Sequence, residues 1–315
     1  GAMRDPKGVV AAGHKVTAQA AADVLREGGN AFDAAIAAMA TATVPEFVFS
    51  SLGGGGFLMA RPAGSRTAIC YDFFARTPGV KRNPDEIEFY GIEADFGPAT
   101  QEFHIGAGAS AVPGFVPGLY AIHDDLGRVP MARLLEPAVL AARDGVTITQ
   151  LHAYLYTVVA PILTATPSTR RTFAPGERLL RAGDVYANAE VCDTLDTLAR
   201  EGPRLFTEGE VAQAMAAQSR DLGGHLSLED FKGYTVERRA PLPWRYRGHE
   251  LFLNPAPAAS GALIAFGLAL LEKLLPDGSA PDPLLLARVM EETNSVRMAR
   301  GQALHEIVQE ATIES

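Results

Sequence analysis

Leu52-Gly53-Gly54-Gly55-Gly56-Phe57, with the apolar segment after it that ends in Asp72-Phe73-Phe74-Ala75-Arg76-Thr77-Pro78, decides how this chain is read. Four consecutive glycines cost a large conformational entropy on folding, so they are kept where backbone must approach something closely or take φ values closed to other residues. The run predicts a packed crossing or the wall of a site; the plain alternative is a tight strand-entry turn that holds no ligand. It lacks GxGxxG spacing ahead of a helix, and no Lys-Ser or Lys-Thr follows it, which argues against a phosphate cradle.

Working outward, FLMARP from Phe57 and TAICYDFF to Phe74 read as a strand pair turned at Ala63-Gly64-Ser65, covered on both faces because neither alternates. Upstream, Gly8-Val9-Val10-Ala11-Ala12 suits a short strand, and a helix is expected from about Lys15 to Glu27, stopped by Gly28-Gly29. Asn30 with Asp33 has the spacing of a capping box ahead of AAIAAMATATV, a small, all-round apolar helix of the buried kind. Downstream, residues 81–101 read as an excursion loop or short hairpin. Helices follow to about Leu126, from Pro130 to Asp144, and around 150–165, 188–201 and 208–218. Ser227 and Asp230 form a second capping box, Arg238 to Asn254 returns to strand character, and helices close the chain over ALIAFGLALLEKLL and roughly 283–301.

Composition bounds the function. With 315 residues, 47% hydrophobic and 21% charged, the chain can bury a large core, and no linker or repeat divides it, so residues 4–315 are expected to form a single domain. Gly1-Ala2-Met3 reads as a cloning remnant. A net charge of -9 and a pI near 5.3, with scattered basic residues, argue against a nucleic-acid partner. No apolar run reaches membrane-spanning length; a cytoplasmic location is the expectation, and a secreted or periplasmic protein whose leader was removed is the alternative. Cys70 and Cys192 stand alone, and no metal or other cofactor is expected.

A complete catalytic set is missing. His14, His104, His123, His152, His225, His249 and His305 show no ligand spacing and read as surface or satisfied histidines. There is no GxSxG elbow and no HExxH, and the acidic pairs Asp124-Asp125 and Glu291-Glu292 read as solvated helix faces. The chain looks like a scaffold without its nucleophile.

EGGNAFDAAIAA, LGGGGF, YDFF, AVPGFVPGL, LLEPAVLAARDG and RGHELFLNPAPAASG, in that order, resemble the large chain of γ-glutamyltransferases and their homologues, from about Gly8 to Gly301. The resemblance implies an α+β fold, the four-layered αββα sandwich of N-terminal-nucleophile hydrolases, completed by a separate small chain cut from the same precursor. It implies a heterodimer, with a dimer of heterodimers as a further form. The nucleophile is then a threonine opening that small chain, its base the free α-amino group, whose ordinary pKa near 8 lies close to neutrality. Oxyanion-hole donors are also expected from the small chain. Ser315 becomes the residue before the scissile bond, at the end of Ala311-Thr312-Ile313-Glu314-Ser315, and the tail after Arg300 is shorter than the family's usual large chain.

One departure bears on substrate. In γ-glutamyl enzymes of the family, Asp-Phe is followed by Arg-Glu, and that arginine binds the α-carboxylate of the glutamyl group; here Phe74 and Ala75 stand in those places. A ring that stacks or excludes replaces bidentate charge-assisted hydrogen bonds, at a cost of roughly 2–5 kcal/mol in a closed site. Arg76 lies on the same side of an extended chain and is a candidate for binding a carboxylate from a shifted position; otherwise it is a surface residue at a strand end. Ala258-Ala259-Ser260-Gly261 replaces the two-serine loop often found in the family. The reading favoured is a self-processed hydrolase of acyl bonds that does not use glutathione. Its alternatives are a homologue cleaving a carbon–carbon bond in alkylproline antibiotic biosynthesis, an orthodox γ-glutamyl hydrolase or transferase using Arg76, and a non-catalytic binding protein. The last leaves open sheet edges and apolar surface that soluble proteins rarely tolerate.

Overall fold

The computed structural model describes residues 8–276 and 278–300. In chain order it runs through helices α1 (Lys15–Arg26) and α2 (Ala31–Ala42), then strands β1 (Phe57–Ala60), β2 (Ile69–Asp72), β3 (Tyr90–Asp95) and β4 (Thr100–Ile105). Helices α3 (Phe115–Leu126) and α4 (Met131–Asp144) follow, then β5 (Val146–Thr147), α5 (Gln150–Val158), α6 (Ala160–Leu163), α7 (Pro167–Phe173), β6 (Val185–Tyr186), α8 (Ala189–Glu201), α9 (Arg204–Thr207), α10 (Glu210–Asp221) and α11 (Leu228–Lys232). The remainder is β7 (Glu237–Arg239), β8 (Leu242–Tyr246), β9 (His249–Leu253), α12 (Ala259–Leu274) and α13 (Pro283–Arg300). These elements fall into two compact units, Gly1–Gly56 with Phe73–Val236, and Phe57–Asp72 with Glu237–Ser315.

The first unit is built on α2. Its alanines bring it against α1, α3 and α4, and α4 packs in turn on α8. Ile36, Leu119, Ile122, Leu134, Leu135, Leu195 and Leu198 are wholly buried there. Truncating one of these leucines to alanine costs about 2–5 kcal/mol. The start of α2 is fixed by the expected capping box: Asn30 Oδ1 accepts from the Phe32 and Asp33 amides, and Asp33 Oδ2 accepts from the Asn30 amide at 2.9 Å. Asp33 does more than cap. Its other oxygen accepts from the amides of Arg128 at 2.8 Å and Val129 at 3.1 Å, so a fully buried carboxylate is satisfied by backbone and ties the α3–α4 connection to α2.

In the second unit β1, β2 and β7 form an antiparallel sheet in the order β1-β2-β7, with Phe57 opposite Asp72 and Cys70 opposite Arg239. Asp72 Oδ2 accepts from Arg239 Nε at 2.8 Å. The β8–β9 hairpin turns in two residues, Arg247 and Gly248, both with positive φ (47° and 79°), the backbone twist that matches paired strands. Ala262 and Ala265 of α12 pack on Leu242, Trp244 and Leu253 of that hairpin.

Several expectations are corrected or made specific. Gly8-Val9-Val10-Ala11-Ala12 is not a strand; Val9 is exposed, and apolar residues without a neighbouring ladder do not make one. The helix expected over 150–165 breaks at Val159 before Pro161, and α7 was not anticipated. Residues 81–101 contain a hairpin of six-residue strands that extends to Ile105. His14 and His152, far apart in sequence, meet as a buried edge-on pair with ring centroids 5.7 Å apart.

Candidate active site

Within the first unit three loop segments lie side by side around the glycine run. Gly56 and Phe73 exchange both backbone hydrogen bonds (3.2 and 3.0 Å). Gly54 O accepts from the amides of Gly114 (2.9 Å) and Phe115 (3.0 Å), and Arg76 and Val112 exchange another backbone pair (3.0 and 2.8 Å). The reason for glycine is close approach: none of Gly53 to Gly56 has a left-handed φ. A Cβ on Gly55 would stand 2.5 Å from Ala75 N and 2.7 Å from Phe73 O. The demand is not uniform, since a Cβ on Gly53 would meet nothing nearer than Ser51 Oγ at 4.0 Å.

Phe73 is the wedge of this crossing. It is 2% exposed, lies edge-on to Phe115, and occupies the space a side chain at Gly118 would need. The next residue turns the other way: Phe74 is 56% exposed. Its carbonyl accepts from the hydroxyl of Tyr234 at 2.8 Å. Arg76 is half-buried, its guanidinium 4.9 Å from the centre of the Tyr234 ring and its Nη1 3.4 Å from Thr235 Oγ1. Three residues further on, Gly79 donates its amide to Asp230 Oδ1 at 2.8 Å. Burial pushes the Asp230 carboxyl up, but the Gly79 and Ser227 amides and the Ser227 hydroxyl outweigh it and hold the group below the usual carboxylate range.

Phe74 and Arg76 thus lie two residues apart on one pinned segment, while Ser315 lies outside the described residues. Sequence reading missed Tyr234 and Gly114. Tyr234 follows Gly233, the C-cap of α11, and only the fold reveals that its hydroxyl reaches back to Phe74. The buried Cys70 of the second unit is no nucleophile: burial, and then the Asp72 carboxylate, push its thiol up and keep it protonated. Among the described residues no group of three His, Cys, Asp or Glu is placed to hold a metal ion, and no helix is long and apolar enough to cross a membrane.

Comparison with known proteins supplies the context of this geometry. The family model for gamma-glutamyltranspeptidase matches residues 17–314. The glutathione hydrolase proenzyme of Escherichia coli (strain K12) is 30% identical over 272 residues, 86% of this chain and 46% of that protein. The acylase ACY 1 proenzyme of Pseudomonas sp. (strain V22) is 31% identical over 268 residues, 84% of this chain and 48% of that protein. The chain therefore spans about half the length of these curated relatives. The solved gamma-glutamyltranspeptidase of Helicobacter pylori superposes with a TM-score of 0.81 at 24% identity, over 96% of this chain and 87% of that one, which shows the αββα N-terminal-nucleophile fold class. Matched along nearly its whole length, this chain belongs to the gamma-glutamyltranspeptidase family.

Proposed function

We propose that this chain is the large chain of a self-processed hydrolase that attacks an acyl bond with the N-terminal threonine of a small chain from the same precursor, and that its acyl donor is not the γ-glutamyl group of glutathione. The observation that carries the substrate reading is Phe74, exposed on a backbone fixed by Tyr234 at the position where the family's γ-glutamyl enzymes use arginine. A ring there offers an apolar face to an acyl group and no charge to an α-carboxylate. Two relatives of similar identity, 30% and 31%, named as a glutathione hydrolase and an acylase, agree with a scaffold that serves more than one acyl class; both are named proenzymes, in keeping with processing.

The test is expression of the gene through its downstream segment, with intact mass and N-terminal sequencing. The expected result is a second polypeptide beginning with threonine, equimolar with this chain; a single unprocessed chain without hydrolase activity overturns the reading. On the processed protein, Phe74→Arg is expected to raise kcat/KM for γ-glutamyl-p-nitroanilide at least about tenfold, since about 1.4 kcal/mol of restored charge pairing suffices. No gain counts against a substrate-facing position 74.

One observation favours a second reading. Arg76, two residues after Phe74, holds its guanidinium over the Tyr234 ring, and in an orthodox γ-glutamyl enzyme it would serve as a displaced carboxylate anchor. In that case the unmodified protein turns over γ-glutamyl-p-nitroanilide, and Arg76→Gln raises its KM.

A further inference from the structure

We infer that Tyr234 is the positioning residue of the acyl-donor site: through its hydroxyl it sets where side chain 74 stands, and so which acyl group is accepted. The inference rests on the reading of position 74 given above. Between Phe73 and Arg76 the chain changes partner, from Gly56 to Val112, and residue 74 lies at that changeover. There the Tyr234 hydroxyl donates to the Phe74 carbonyl at 2.8 Å. Tyr234 is 9% exposed, and a buried phenol that has a partner holds that partner in turn. The fold keeps room for this contact: a Cβ at Gly114 would run into Tyr234 Oη and Phe73 O.

The same stretch of chain grips the segment a second time, through Asp230 and the Gly79 amide at 2.8 Å, so residues 74 to 79 are held at both ends by residues 230 to 234. Tyr234 also carries the Arg76 guanidinium on its ring at 4.9 Å. One side chain therefore contacts both residues proposed to meet the acyl donor, and its hold on the position 74 carbonyl does not depend on which residue stands there. A carbonyl deprived of this donor lets the peptide plane at 74 rotate, and a side chain displaced by about 1 Å loses a directional contact with its ligand.

Tyr234→Phe keeps the ring and removes the bond. The experiment uses the full precursor in four forms, unmodified, Tyr234→Phe, Phe74→Arg and the double variant, with γ-glutamyl-p-nitroanilide as probe. With Arg at position 74, removing the Tyr234 hydroxyl is expected to raise KM about tenfold with kcat within about twofold, a split that a general loss of stability does not produce. An unchanged KM overturns the inference. Hydrogen exchange needs no substrate and decides the positioning role even if the proteins are inactive. Faster exchange of the amides of residues 74–76 in Tyr234→Phe, with exchange in α2 unchanged, is expected; unchanged exchange at 74–76 overturns it. Absence of a threonine-initiated chain would sink the hydrolase reading instead, so the two failures are distinguishable.

Discussion

At the scale of single residues, the glycine run separates into positions with different jobs. Gly55 has backbone atoms of Phe73, Phe74 and Ala75 within 3 Å of any added Cβ, and backbone cannot step aside as a side-chain tip can. Gly53 has open space. Gly55→Ala is therefore expected to cost at least about 3 kcal/mol or to abolish folding, whereas Gly53→Ala stays within about 0.5 kcal/mol. Thermal midpoints and soluble yield of the two variants check this; equal behaviour would show that the run is only a permissive turn. Phe73 and Phe74 make the same point from the side-chain end, since one ring is core and its neighbour is surface.

At the scale of the element, α1 and α2 begin in contrasting ways. Asn30 and Asp33 cap α2 with residues three apart, a device written locally. Helix α1 is capped by His14, whose Nδ1 accepts from the Val16 amide at 3.1 Å, so the cap exists only while that nitrogen is unprotonated. Burial first, then the charge of His152 and, to a lesser degree, Lys15, lower the His14 pKa; Glu46 and a hydrogen bond to the Thr147 backbone pull the other way. The folded chain thus holds His14 neutral, whereas the unfolded chain protonates it at the ordinary value of 6.5. Its contribution to stability is complete above that value and is lost as pH falls below it. His14→Asn keeps an acceptor at the cap without titrating, and is expected to flatten the fall in thermal midpoint between about pH 7.5 and about pH 5.5. An identical fall in both proteins would remove His14 from the account.

At the scale of the molecule, the two units differ in how their helices are covered. In the first, α2 and α4 present fully buried residues such as Ile36 and Leu134. In the second, α13 buries Val289 while Leu284, Met290 and Met298 stand 63–78% exposed. Local stability follows burial, so amides of α13 in this chain alone are expected to exchange faster than those of α2. Equal protection would mean that α13 is covered. The elements were legible because their evidence is local, periodic apolar helices, two capping boxes and paired strands each announcing themselves within a dozen residues, whereas the fold class came from the family resemblance carried by sequence blocks spread along the chain.

The sequence by itself determined most of the longer helices, the β1–β2 strand pair and the two capping boxes, marked Gly53–Gly56 as a close backbone approach or a tight turn, and, through the family resemblance, put phenylalanine where γ-glutamyl enzymes carry arginine, because these depend on residues near one another in the chain or on residue identity. Only the tertiary structure decided that Gly55 is the crossing point, that Phe74 faces outward while Phe73 faces in, that Tyr234 holds the Phe74 carbonyl, and that His14 meets His152. Each of these is a contact between segments remote in sequence, and the physical reason is the same in every case: hydrogen bonding and exclusion act over a few ångströms of space, and no local pattern records which distant segment will fill that space.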